Sequence, residues 1–365
     1  MNILHIAGAR PNFMKVAPVL NALKERETAR EKVRQTVIHT GQHYDVNMSG
    51  VFFQQLGIPA PDMNLAVGSG SHAKQTAEIM IRLEPVVLER QPDLVLVYGD
   101  VNSTVATVLV CDKLGVKVGH DEAGLRSFDR TMPEESNRLV TDQLAELLFT
   151  PSEDGDENLL REGIAAEKIF RVGNVMIDSL VRLLPLAKKT SQGGLPERYA
   201  LVTLHRPANV DDGATLKRIL ESLIEVNKDL AVVFPAHPRT RQRIADFRLN
   251  TGQLRMLDPL PYVDFLGLQS RATVVITDSG GIQEETTYLG VPCLTLRENT
   301  ERPITVSTGT NILVGRDPEK LRTELSRVLR GKAKRGTVPP LWDGHAGERI
   351  ADVLVGRPVN VAIAS

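Results

Sequence analysis

Short apolar runs rich in β-branched residues alternate along the chain with longer stretches whose apolar positions recur every three to four residues. In the first half the short runs fall at 3–7, 36–39, 94–98, 116–119 and 147–150. Their lengths suit strands, and the stretches between them suit amphipathic helices. That alternation predicts a parallel sheet covered by helices on both faces. The pattern restarts at 200–204 and continues through 230–234, 254–257, 273–277, 292–296 and 311–314. The expected fold class is therefore α/β, with two Rossmann-like doubly wound domains in succession. The segment TSQGGLPER, 190–198, has the Gly, Pro and polar content of a surface connection. It places the domains at 1–172 and 173–365, the second ending in a helix over 346–354 whose docking partner the pattern does not reveal.

Composition narrows the function. Lys plus Arg number 44 and Asp plus Glu 45, a net charge of −1, and aromatic residues make up 4%. A general nucleic-acid binder needs a basic excess or stacking aromatics, and this chain has neither. No apolar run approaches the roughly 20 residues that cross a bilayer, and the first residues show no leader pattern, so a soluble, cytoplasmic protein without nucleic-acid or membrane partners is expected. Cys111 and Cys293 lie in no CxxC pair, which suggests neither a disulfide framework nor a thiolate metal site. GxGxxG is absent, so no nicotinamide cofactor is expected, and neither is any other cofactor or metal.

In open α/β sheets ligands bind beyond the carboxyl ends of the strands, and here those positions are rich in polar groups. After the first strand come Gly8, Ala9, Arg10, Pro11 and, four residues on, Lys15. Cations on a turn into a helix suit a phosphate, although a solvated turn opened by Pro11 has the same pattern. His39 and His43 flank Gly41, which argues against a shared helical face and so against a zinc motif. Asp100, Glu122 and Glu134 reach strand or loop ends on one rim. Taken singly they could be a cap or acidic first-turn residues; as a set they suit proton transfer, because clustered carboxylates raise one another's pKa. In the second half His205 and Arg206, then His237, then Ser279, Gly280 and Gly281 follow strands. The small turn admits a diphosphate to backbone amides, and Glu285 lies about one turn into the next helix, placed for ribose hydroxyls.

At this point the chain closely resembles the non-hydrolysing UDP-N-acetylglucosamine 2-epimerases, over about residues 1–354. The motifs that carry the resemblance are GARPNFMK, HTGQH, GDVNST, EAGLRSFDRTMPEE followed by NR, TLHR, and TDSGGIQEE followed by TERP. The resemblance implies a GT-B glycosyltransferase-like pair of domains facing a cleft, a homodimer, and interconversion of UDP-GlcNAc and UDP-ManNAc by loss and return of UDP through 2-acetamidoglucal. Position by position it implies catalytic roles for Asp100, Glu122, Glu134 and His205. It further implies substrate-binding roles for Arg10, Lys15, Arg138, His237, Phe265, Ser279, Gly280, Gly281, Glu285 and Arg302, with Ser279 to Gly281 at the diphosphate, Glu285 at the ribose and Phe265 beside the uracil.

Three positions depart from the family pattern: Asp121 replaces an aliphatic residue, Ser136 an apolar one, and Ala208 an acidic one that in bacterial members helps form a second, activating UDP-GlcNAc site. In a strand, Asp121 should point away from Glu122 toward the covering helices, where a carboxylate must be paired, protonated or exposed. A UDP-sugar glycosyltransferase of the same fold and a 2-epimerase of a related nucleotide sugar remain the alternatives.

Overall fold

The computed structural model describes residues 1–26, 32–42, 50–190 and 193–357. It divides into two compact units, one of Met1–Ser179 with Pro340–Ser365 and one of Leu180–Pro339.

The first unit contains strands β1 (Asn2–Ala7), β2 (Arg34–His39), β3 (Met63–Asn64), β4 (Leu94–Tyr98), β5 (Val118–Asp121), β6 (Leu147–Thr150) and β7 (Ile169–Arg171). They stand in the order β3-β2-β1-β4-β5-β6-β7, and every neighbouring pair is parallel. The second contains β8 (Tyr199–Thr203), β9 (Ala231–Pro235), β10 (Arg255–Leu257), β11 (Val274–Thr277), β12 (Cys293–Thr295) and β13 (Asn311–Leu313), in the order β10-β9-β8-β11-β12-β13, again all parallel. These are two doubly wound sheets, as the alternation predicts. β3 and β7, two and three residues long and at the two edges of their sheet, are missing from the expected strands.

All five residues of β4 are buried, and Val95 and Val97 join Leu4, Ile6, Leu83 and Val108 in a core beneath the helices His72–Arg90 and Asn102–Leu114. The second core is likewise built from both faces of strand and helix, with Val202, Phe234, Ile276 and Leu294 against Leu216, Leu220 and Leu223. The strand order reverses between β1 and β4 and between β8 and β11. The carboxyl ends at those two places are where a ligand-binding crevice opens in such sheets.

The C-terminal helix belongs elsewhere than the division at 172/173 puts it. Helix Ala346–Leu354 lies on helix Arg10–Arg26 of the first unit. Arg26 Nε donates to Asp352 at 2.7 Å. Asp178 accepts from the backbone N–H groups of Ala346 and Gly347 at 3.1 and 2.7 Å, satisfying helix-terminal donors as a cap does. Trp342, 1% exposed, donates to the Pro151 carbonyl at 2.8 Å. The helix returns because its apolar stripe needs a partner surface, which the first unit supplies.

Candidate active site

The first rim gathers at the switch point of the first sheet. β5 runs two residues later than the pattern suggests and ends at Asp121, whose register partner is Tyr98 at the end of β4. Glu122 then turns the chain with φ +70°, a left-handed conformation that a residue with a Cβ adopts only under constraint. The constraint is visible: Glu122 is 5% exposed and its Oε2 receives Lys15 Nζ at 2.5 Å. Gly99, at φ +68°, makes room for that pair, since a Cβ there would stand 2.6 Å from Lys15 Nζ and 3.2 Å from Glu122 Oε2. Burial works against the Lys15 charge, but Glu122, Asp100 and Asp121 outweigh it, so Lys15 is held as an ammonium.

Asp100 is tied in the same way to the buried Arg138. Arg138 also donates to Glu135 at 2.6 Å, and Glu135 accepts from the N–H and Oγ of Ser127 at 3.0 and 2.8 Å and from Phe128 N–H at 2.9 Å. Burial disfavours its charge, yet Arg138 and Ser127 hold Glu135 below the usual carboxylate range. Glu134, on the same helix turn, is half-buried, and no ion pair or hydrogen bond to it is formed among the described residues. Beneath the rim His120, with no exposed surface, sits between the Gly99 carbonyl at 2.9 Å and Asp142 at 2.6 Å. Asp142 also meets Arg126 at 2.7 Å, so the base of the turn that carries Asp100 is fixed.

Asp121, the last residue of β5, is buried, and its Oδ2 has no hydrogen-bond partner. Burial, with Glu122 and Asp178 adding to it against Lys15, pushes its carboxyl well above the ordinary value. It forms none of the ion pairs of the rim, and its environment favours the protonated form.

The second rim lies at the switch point of the second sheet. Helix Gly280–Leu289 begins directly after β11 with Ser279 at its N-cap and no side chain capping it. Its first amides are left for an anion. The space beside Gly281 is open, whereas a Cβ on Gly280 would stand 2.5 Å from Arg302 Nη1, so that guanidinium lies against the turn. Arg302 pairs with Glu301 and, at 2.8 Å, with Glu284, while Arg297 and Arg206 also meet Glu301, at 2.6 and 3.4 Å. Burial opposes the Glu301 charge, and the surrounding guanidinium groups hold its carboxyl far below the usual range. The guanidinium groups of Arg206, Arg297 and Arg302 thus lie interleaved with the carboxylates of Glu284, Glu301 and Asp278 beside the helix terminus.

Asp278, fully buried, accepts from the N–H groups of His205 and Arg206 at 3.1 and 3.0 Å, from His205 Nδ1 at 3.1 Å and from Asn209 at 3.2 Å. Despite burial these donors, His205 first, hold it ionised. With Nδ1–H engaged, the half-exposed His205 ring keeps Nε2 for another partner. The His237 ring lies nearby, tilted 41° to it with ring centroids 5.9 Å apart, and His237 caps helix Pro238–Asp246. Glu285 is 3% exposed and accepts from Tyr262 Oη at 2.8 Å. Burial pushes its carboxyl up to about 7 against hydrogen bonds from Tyr262 and Gln269. Phe265, one turn beyond Tyr262, is half-buried against Tyr199, Val233 and Val275.

At the first sheet Asp100 therefore pairs with Arg138 and Glu122 with Lys15, while Glu134 stands on the helix that carries Arg138; at the second His205 lies by His237 and Gly280 by Arg302, with Ser279 and Gly281 in the same turn and Glu285 on the helix that follows. Lys15, Arg138 and Arg302, expected as substrate cations, pair with protein carboxylates. The Arg10 side chain and His43 lie outside the described residues. Sequence reasoning missed Glu135, Asp142 and Asp278, the groups that hold the others; for Glu135 the three-residue spacing to Arg138 was the available signal. Among the described residues no three His, Cys, Asp or Glu side chains converge as a metal site, and no helix is long and apolar enough to cross a membrane.

The profile of the UDP-N-acetylglucosamine 2-epimerase family matches residues 25–355. The crystal structure of Methanocaldococcus jannaschii UDP-GlcNAc 2-epimerase in complex with UDP-GlcNAc and UDP superposes with a TM-score of 0.90 at 43% identity, covering 98% of this chain and all of that one. A UDP-2,3-diacetamido-2,3-dideoxy-D-glucuronate 2-epimerase of Pseudomonas aeruginosa is also 43% identical, over 97% of this chain and 99% of its own. A lipopolysaccharide outer core galactosyltransferase matches in fold alone, with a TM-score of 0.55 at 15% identity over 98% of this chain and 99% of that one, which makes the two Rossmann-like domains GT-B-like. On the family profile and the near-complete coverage of these relatives, the chain belongs to the UDP-N-acetylglucosamine 2-epimerases, a family of isomerases.

Proposed function

We propose that the chain interconverts UDP-GlcNAc and UDP-ManNAc by eliminating and re-adding UDP. The observation that carries this reading is the pair of rim carboxylates, Asp100 and Glu122, each locked by its own buried cation, with Glu134 left unengaged. The C2 proton of the sugar has no adjacent carbonyl to acidify it, so it leaves only if C1 releases a good leaving group in the same step. A rim carboxylate takes the proton, the C2–H electrons form the C1–C2 double bond of 2-acetamidoglucal, and the C1–O electrons depart with UDP. Return of a proton to the other face of C2 and attack of UDP on C1 complete the inversion. A base, an acid and charge stabilisation are all needed.

The second rim serves the nucleotide: Ser279, Gly280 and Gly281 offer amides to the diphosphate, the Arg302 cluster supplies positive charge, His205 Nε2 reaches a phosphate or sugar oxygen, Glu285 holds the ribose, and Phe265 lies beside the uracil. Arg10 and His237 complete the phosphate surroundings. The protein acts in the cytoplasm as a homodimer, a state supported by Ile81 and Leu88, 65% and 56% exposed and seven apart on one helix; light scattering tests it.

Proton NMR with UDP-GlcNAc in deuterium oxide tests the reaction. Deuterium at C2 together with UDP-ManNAc is expected. The equal identity to the diacetamidoglucuronate enzyme supports a second substrate reading. Exchange with that sugar nucleotide and none with UDP-GlcNAc would establish it, and free sugar release without C2 exchange would refute both.

A further inference from the structure

Phe128 is held in a conformation that costs stability twice. Its φ is +57°, where a side-chain-bearing residue is disfavoured. Its ring is 75% exposed, so the strain is not offset by burial. It is the only aromatic among the large apolar side chains that the described residues leave exposed. The backbone there is imposed by one group: Glu135 Oε2 grips the N–H and Oγ of Ser127, and Oε1 the N–H of Phe128. Glu135 pairs with Arg138, and Arg138 with Asp100. The exposed ring is thus registered, through the two ion pairs of the buried Arg138, to a carboxylate of the proposed chemistry. Strained residues that persist under such constraint gather at ligand contacts.

Resting on the 2-epimerase reading, we propose that Phe128 is a specificity-determining contact for the methyl of the 2-acetamido group. The other groups of that rim are carboxylates and cations, which suit the ring oxygens and the migrating proton. The acetyl methyl is the apolar end of the substituent on C2, the reacting carbon, and an aromatic face is its natural partner.

The test compares wild type with Phe128→Ala, Phe128→Gly and Phe128→Tyr in C2 exchange, with binding of UDP, UDP-glucose and UDP-GlcNAc measured by calorimetry. Loss of the ring should raise KM for UDP-GlcNAc about tenfold, leave UDP and UDP-glucose affinity within twofold, and be rescued by Tyr. Phe128→Gly should melt no lower than wild type, because glycine takes a positive φ freely; a ring with a structural role would lower the melting temperature instead. UDP-GlcNAc affinity within twofold of wild type in both the Ala and Gly variants overturns the proposal. So does equal weakening of all three ligands, or conversion of a dimer to monomers. Calorimetry separates this outcome from the reaction itself: wild type without C2 exchange defeats the epimerase reading, while the UDP-GlcNAc and UDP-glucose comparison still decides the contact.

Discussion

If Glu285 holds the ribose as proposed, its burial makes nucleotide binding a proton-linked event. Its carboxyl, 3% exposed and pushed to about 7 by desolvation with only partial relief from Tyr262 and Gln269, is about half protonated at neutral pH. A folded-state pKa raised above the ordinary 4.5 means that the free protein is favoured below pH 4.5 and loses stability as pH rises through about 7. The difference is worth about 3 kcal/mol at the alkaline limit. Ribose hydroxyls that donate to the carboxylate favour its ionised form, so the nucleotide binds with release of the proton. If only ionised Glu285 binds, affinity at pH 6 is about elevenfold below its alkaline limit and at pH 8 about 1.1-fold below. Calorimetric titration of UDP at pH 6, 7 and 8, for wild type and Glu285→Gln, measures this. The ratio of the two proteins cancels the titration of UDP itself. The wild-type to variant affinity ratio should grow about tenfold from pH 6 to pH 8, and Glu285→Ala should cost roughly 1.5–3 kcal/mol at pH 8. Parallel affinities across the whole pH range, or UDP binding unchanged by Glu285→Ala, would refute the ribose role.

Further expectations can be checked with equally direct measurements. Asp100→Asn, Glu122→Gln and Glu134→Gln should each lower turnover by roughly 10²-fold or more with little change in UDP affinity; near-normal turnover in all three would falsify the assignment. Asp121→Val replaces a buried acid with an orphan oxygen by an apolar side chain, so calorimetric melting should rise by a few degrees with activity kept or improved. A lower melting temperature would reveal a partner for Asp121 in solution. With Ala208 exposed on the short helix Pro207–Val210 in place of an acid, UDP-GlcNAc should saturate hyperbolically and UDP-ManNAc should react without an activator; sigmoidal kinetics would count against loss of the second site.

The alternation of short and long periodic segments is a local property, and it foretold both doubly wound sheets and the strand ends that carry the polar groups. The C-terminal helix was legible with its bounds, but its docking place was not, because its partners, Pro18, Arg26 and Asp178, lie more than 160 positions away and its own amphipathic stripe names no surface. Glu134 and Glu135 read alike as first-turn acids. Only the fold separates them, by turning Glu135 inward onto Arg138 and Ser127 while Glu134 stays unengaged. For Asp121 the cost of burying charge, a local argument, left a paired, protonated or exposed carboxylate open; the fold buries it with Oδ2 unpartnered, a setting that favours the protonated form.

The return of the last helix to helix Arg10–Arg26 sets the order in which the molecule can be made. The second unit, residues 180–339, is completed on the ribosome while the first still lacks its closing segment. At roughly 5–20 residues per second the nascent chain carries the uncovered face of helix Arg10–Arg26 for about 8–32 s after residue 179 is joined. Throughout that interval Asp178 has no helix terminus to hold, and Trp342 does not yet exist to fill its place beside Pro151. The first-born part of the protein is thus the last to be finished. Chaperone dependence during synthesis is expected to concentrate on that waiting surface.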